Sequence, residues 1–339
     1  MTSHIQHARH QLGLTIIELM VTLLLSSFLL LGILQLFINS NSTDRANSAL
    51  ARLQENGRVA LDMIKQDFRR TGYQGCASPT AESRSNSSHT FPLDAMGEQD
   101  IDQLEGAGTA SDSLVMRHAS PTRMRATIIG PTQVTFISDD SINFTAGERY
   151  EFILTNCDDV AIFTGVASAR TDNSDPATEV EFPDQYTITS LQGANSGAPP
   201  SLTGIPTGAG SQFLRLAENA YAIQGDPANL DSAGNPVSTL YKNGAPMIAN
   251  VDNFQVLYGV ESGGQTRWLN ASDLTDGLRR QVSRLQISLV MSSPDEVTDQ
   301  ANTQPFAIAN IGANTQLNAI ADHRLRRVFN TVVDVRNRP

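Results

Sequence analysis

Leu14 to Ile38 form an apolar run of 25 residues, LTIIELMVTLLLSSFLLLGILQLFI, broken by one charge, Glu18. As a helix the run is about 37 Å long at about 1.5 Å per residue, enough to cross a hydrocarbon core of about 30 Å once. A secretory signal peptide fits less well, because its apolar stretch is about 7 to 15 residues and ends at small residues. Here Asn39, Ser40, Asn41 and Ser42 follow the run. The residues before it carry Arg9, His4, His7 and His10 and no acid, which places them on the cytoplasmic side and the C-terminal bulk outside. No Pro interrupts the run and Gly32 is its one weak breaker, so a continuous helix is expected.

Beyond Asn47 the pattern becomes amphipathic. Leu50, Leu53, Gly57, Leu61, Ile64 and Phe68 recur at three- and four-residue steps, with Arg52, Glu55, Arg58, Asp62, Lys65 and Asp67 between them. One helix from Leu14 to about Arg70 is expected, ended by Thr71-Gly72-Tyr73-Gln74-Gly75-Cys76. Residues 77–112 are rich in Ser, Gly, Ala and acids and read as loop. Short strand-type runs follow: 113–117, 126–129, 133–137, 149–155, 160–164, 179–182, 186–190, 212–216, 220–224, 239–242, 254–260, 285–291 and 328–335. A second loop, 193–210, holds Pro199, Pro200 and Pro206. The fold class expected is α+β, with a long N-terminal helix, first membrane-spanning and then amphipathic, packed on an antiparallel β-sheet head.

Composition narrows the chemistry. Of 339 residues, 24 are Lys or Arg and 35 Asp or Glu, a formal net charge of −11. That balance argues against nucleic acid as a main partner, since phosphate binding needs clustered cations. Cys76 and Cys157 allow one intramolecular bridge, which would contribute about 4 to 5 kcal/mol in the chain-entropy model. Two unpaired, half-buried thiols are the alternative. Neither cysteine belongs to a CxxC pair, which excludes zinc ribbons and thioredoxin-type redox chemistry.

Glu18 is costly in an apolar run, although near the interface it costs less than the about 2.5 to 3.5 kcal/mol of an acid at the bilayer centre. The pattern around it, Gly13-Leu14-Thr15-Ile16-Ile17-Glu18, resembles the prepilin signature of type IV pilins and type II secretion pseudopilins. The resemblance implies that a membrane prepilin peptidase cuts between Gly13 and Leu14 and N-methylates Leu14, where the family usually has Phe. It implies further that Glu18 meets an N-terminal amine as subunits pack into a filament, a buried charge being tolerated only when paired. On that reading residues 1–13 are a leader, 14–38 the transmembrane and filament-core helix, 39–75 its amphipathic second half, and 76–339 a periplasmic β-rich globular head.

A second resemblance is more specific. Residues 247–260, MIANVDNFQVLYGV, are similar to the V-x-N-x-Q-V-x-Y-G-V segment of the PilW family of minor pilins. Residues 54–62, 71–76, 282–290 and 327–337 resemble that family's stalk, helix end, penultimate strand and closing strand. This implies a minor pilin of the type IV pilus that primes pilus assembly with other minor pilins and sits at the tip, in the service of twitching motility, adhesion and DNA uptake. Its implied partners are prepilin peptidase, other minor pilins and the major pilin, a tip adhesin and the inner membrane. The chain would be single-pass in the inner membrane before assembly, N-terminus cytoplasmic and head periplasmic, and in the pilus afterwards. A J-type minor pseudopilin of type II secretion and a membrane-anchored periplasmic binding or sensor domain are the alternatives.

No enzyme or cofactor emerges. His89, His118 and His323 lack the HxxxH spacing of a zinc site, and neither a GxSxG elbow nor a GxGxxG or Walker loop is present. For calcium, Asp172, Asp175 and Glu179 share one loop and Glu261-Ser262-Gly263-Gly264 forms another, but solvated surface acid is the better reading of both. The basic run His323-Arg324-Leu325-Arg326-Arg327 reads as an interface or a salt-bridged edge, and Trp268 and Tyr258 as core.

Overall fold

The structure, a computed structural model, describes residues 15–76, 82–83, 111–137, 143–171, 185–193, 199–202, 205, 210–275, 278, 281–309, 316–318 and 320–335. The fold is α+β, a long N-terminal apolar helix with antiparallel sheet. Helix α1 runs unbroken through Gly32 from Ile16 to Arg70, 55 residues or about 82 Å. The Thr15 hydroxyl caps its first turn and Glu18 lies there, whereas Arg69 and Arg70 close the last turn, so both ends carry the charge that suits the helix dipole. It stops at Thr71, with Gly72 at φ 79°.

The strands are β1 (Glu82–Ser83), β2 (Leu114–Ile129), β3 (Val134–Ile137), β4 (Arg149–Thr155), β5 (Asp159–Ala167), β6 (Gln185–Gly193), β7 (Gln212–Leu230), β8 (Pro236–Lys242), β9 (Ala245–Ala249), β10 (Val251–Ser262), β11 (Gln265–Leu269), β12 (Val282–Glu296), β13 (Phe306–Ala307), β14 (Gln316–Leu317) and β15 (Arg324–Asp334). The expected strand at 179–182 lies outside the described residues.

Six of them close on themselves. β2 pairs β3, β3 pairs β6, β6 pairs β5, β5 pairs β4, β4 pairs β7 and β7 pairs β2, all antiparallel, so the ring is a barrel with no free edge. Its interior is aromatic: Phe136, Phe152, Phe163 and Phe213 are fully buried, and the Phe136 and Phe213 ring centroids are 5.0 Å apart. Residues 212–216 and 220–224, which read as two strands, are one. Glu218 and Asn219 interrupt the apolar pattern, but Glu218 pairs with Arg117 on the neighbouring strand at 3.0 Å and the ladder runs through.

β2 and β7 both extend beyond the barrel into a second body. The ladder shifts between Ala119↔Leu216 and Arg123↔Leu214, a bulge in β2 that contains Pro121, which has no N–H to give. Past it, β7, β8 and β9 form one wall, and the sheet β11-β10-β12-β15 the other. Leu53, Ile64 and Phe68 of α1 fill the space with Leu114, Tyr221, Leu240, Phe254, Tyr258, Leu285, Ile287 and Leu289 in a single core. Among the described residues the two largest cores therefore lie within the barrel and under the helix, with smaller clusters around Ile153 and around Val290.

Gly57 brings α1 close to β15. A Cβ there would stand 2.6 Å from the Phe329 ring. In an open helix Gly57→Ala would gain about 1 kcal/mol of propensity. Here overpacking of about 1 to 3 kcal/mol outweighs that gain. Gly57→Ala is expected to lower the urea midpoint of the detergent-solubilised chain, and the added change Phe329→Leu to restore it. A midpoint raised by the single change would show that the ring moves aside without cost.

Candidate functional site

The feature that soluble packing does not explain is the first half of α1. Every helix residue from Ile16 to Asn41 is exposed, and buried positions begin only at Ala49. Phe28 is 66% and Leu36 71% exposed. A continuous apolar surface of this size needs a lipid or protein cover. The helix is long and apolar enough to cross a membrane. Its polar residues are adapted to that setting: the Thr22 hydroxyl donates to the Glu18 and Leu19 carbonyls at 2.9 Å each, and the Ser27 hydroxyl to the Leu24 carbonyl at 2.8 Å. Glu18 is the one charge on this surface, and the Thr15 hydroxyl accepts from its N–H at 3.3 Å. Gly13 and Leu14, where processing is expected, lie outside the described residues.

At the other end a buried polar hub fixes the helix to the head. Asp67 is 6% exposed. Its Oδ2 accepts from the Tyr221 hydroxyl of β7 and from Lys242 Nζ of β8, each at 2.5 Å. Burial first, and then the Asp67 carboxylate, push the Tyr221 phenol well above its ordinary range. His118 of β2 lies in the same region. Burial lowers its imidazole pKa, the Asp67 carboxylate opposes that shift, and Arg70 and Lys242 add to it. The segment after the helix is clamped as well: Ala119 N–H donates to the Tyr73 carbonyl at 2.7 Å, and Gly72 N–H to the Arg117 carbonyl at 3.1 Å. Cys76 and Cys157 are joined with an S–S distance of 2.07 Å, tying the helix end to the β4–β5 turn of the barrel.

The remaining candidate residues serve the fold. In the basic run, Arg326 Nε bonds Asp252 Oδ2 at 2.7 Å, its two Nη atoms meet Asp322, and Arg324 lies 3.8 Å from Asp231. Burial raises the Asp252 carboxyl against the pull of Arg326. His323 Nδ1 is 2.8 Å from the Thr298 carbonyl. Glu261 accepts from Thr266 at 2.9 Å and Ser283 at 3.2 Å, so that turn is committed to its sheet. His89, Asp172, Asp175 and Glu179 lie outside the described residues, and no group of three metal-ligating side chains occurs among the described ones. Tyr258 is core and Trp268 is half-buried. Gly259 between them in the Tyr-Gly-Val segment has a packing cause, because a Cβ would meet Thr266 at 2.8 Å and Trp268 at 3.1 Å.

The Asp67 hub was not foreseen. Its signal was present, since Asp67 follows Ile64 by three residues and so shares the buried face of the helix. β9 and β11 were also missed, although Asn243-Gly244 and Gly263-Gly264, all at positive φ, are the two-residue turns that join hairpins.

Comparison with known proteins bears on the C-terminal part. The model of the PilW family, Type IV Pilus-assembly protein W, matches residues 220–337. No curated protein matches the chain. Among solved structures, a type IV-like pilin from Thermus thermophilus is similar at 14% identity, covering 56% of this chain and 84% of that one with a TM-score of 0.24. The matched residues begin where β7 leaves the barrel and contain β8 to β15, the sheet under the helix and the 247–260, 282–290 and 327–337 segments, and over this C-terminal part the chain is similar to the PilW family.

Proposed function

We propose that the chain is a minor pilin of the type IV pilus, cut between Gly13 and Leu14 by prepilin peptidase, methylated on Leu14, and held single-pass in the inner membrane until it joins other minor pilins to prime the filament. The observation that carries this reading is the helix itself. One unbroken rod offers an uncovered apolar half with a lone Glu18 at its tip, while its other half is fixed into the head by a packed core and the Asp67 hub. Such a part does mechanical work: it enters a bundle of like helices and presents the head, at the pilus tip, to the major pilin, a tip adhesin or a surface. Glu18 would meet the amine of a neighbouring subunit where both are shielded from water, a setting in which an unpaired charge is expensive.

N-terminal mass measurement of the mature chain tests the processing step. A chain beginning at methylated Leu14 is the expected result, and a chain that retains residues 1–13 overturns it. Glu18→Ala is expected to leave membrane insertion intact but to reduce co-purification with other minor pilins by about tenfold, the equivalent of about 1.4 kcal/mol. Unchanged recovery would remove Glu18 from the assembly. A deletion strain is expected to lose pili and twitching, whereas normal pili with lost exoprotein secretion would assign the chain to a secretion system.

A further inference from the structure

Where the exposed half of α1 meets the head there is a groove of about 600 Å³. One side is helix: Phe37 and Ile38, the last apolar residues of the run, then Asn41, Ser42 and Arg45. The other is the segment leaving β12, with Glu296, Thr298 and Asp299. That segment is held in place, Val297 and Thr298 N–H both donating to the His323 carbonyl at 2.9 and 3.1 Å. Arg45, Glu296 and Asp299 are exposed, and none has an ion-pair partner among the described residues. The groove thus carries two apolar residues and a cation on its helix side and two acids on the side of the head.

Its depth selects the occupant. With the apolar run in a hydrocarbon core of about 30 Å, Phe37 and Ile38 lie at the boundary. Asn41 to Arg45 then fall within the next roughly 12 Å, which a snorkelling arginine can span back into the headgroup layer. We propose that this groove holds the headgroup of a zwitterionic phospholipid that bears a primary amine. Arg45 takes the phosphate, which suits a planar guanidinium, and Glu296 and Asp299 take the ammonium. An anionic headgroup would meet two like charges on the same wall. A quaternary ammonium offers the carboxylates no N–H to accept. The proposal rests on the reading that α1 crosses the bilayer.

The test uses the full chain reconstituted in vesicles of phosphatidylglycerol mixed equally with phosphatidylethanolamine or phosphatidylcholine, followed by flotation and native mass spectrometry of the lipid retained. The expected result is flotation in both mixtures, with phosphatidylethanolamine retained about fivefold over phosphatidylcholine, the ratio that an exposed ion pair worth about 1 kcal/mol to one amine and not the other would give. The double change Glu296→Gln, Asp299→Asn should bring the two lipids to parity, and Arg45→Gln should lower retention of both. All three side chains are exposed, so the variants remain folded. Flotation without a lipid preference, or a preference that survives the double change, overturns the headgroup site alone. A chain that does not float overturns the membrane-spanning reading and the site with it.

Discussion

Replacing Cys76 and Cys157 together with Ser is expected to be among the most damaging changes outside the cores. The bridge has a sequence separation of 81. Closing a loop of that size lowers the entropy of the unfolded chain by an amount worth about 4.5 kcal/mol at 25 °C. The loss should fall first on the barrel. The bridge anchors the barrel's β4–β5 turn to the end of α1, beside the point where Tyr73 packs on Ile153, Ile162 and Leu214 of its outer surface. Urea unfolding of the detergent-solubilised chain, oxidised against the double variant, measures the effect. Limited proteolysis locates it, since cleavage should appear in residues 114–216 before it appears in the sheet under the helix. An unchanged urea midpoint would show that the bridge adds nothing to a junction already fixed by packing.

Asp67→Ala should cost about 3 to 5 kcal/mol, the range for removing one member of a buried charge pair. The substitution leaves the Tyr221 hydroxyl and the Lys242 ammonium without the carboxylate they share. Asp67→Asn keeps an acceptor for Tyr221 and removes only the charge, so its loss should be smaller. Lys242→Met beside Asp67→Asn should recover part of the loss, because the orphaned cation is then gone as well. Equal stability for Asp67→Ala and the unaltered chain would mean that water enters the hub freely. Because the hub joins the helix to β7 and β8, Asp67→Ala should also reduce incorporation into pili, even with the exposed half of α1 untouched.

Much of this fold was legible because it is local. The helix from Ile16 to Arg70 shows first as a continuous apolar run and then, beyond Asn47, in a three- and four-residue period, and β4 at Arg149–Thr155 shows in β-branched and aromatic residues between turns. What could not be read was closure. That β4 returns to pair with β7, making a barrel, depends on partners some 60 residues apart, such as Leu154 with Phe213, and no local pattern encodes it. The Asp67 hub failed to show for the same reason. Its acid was visible on the helix, but Tyr221 and Lys242 arrive from strands more than 150 residues later. The exposed helix half was legible throughout, because an uncovered apolar surface is written in composition rather than in contacts.

The crossing of β2 and β7 has a consequence for how such a chain can change over generations. Outbound and returning strands pass between the two bodies side by side, with Ala119 opposite Leu216. A segment whose ends are neighbours in one ladder can lengthen, shrink or be exchanged while the strands on either side stay in place. The family match begins at residue 220, just past that crossing. The barrel thus hangs from one strand crossing and one disulfide, so its loops can change in length without altering the register of the sheet under the helix.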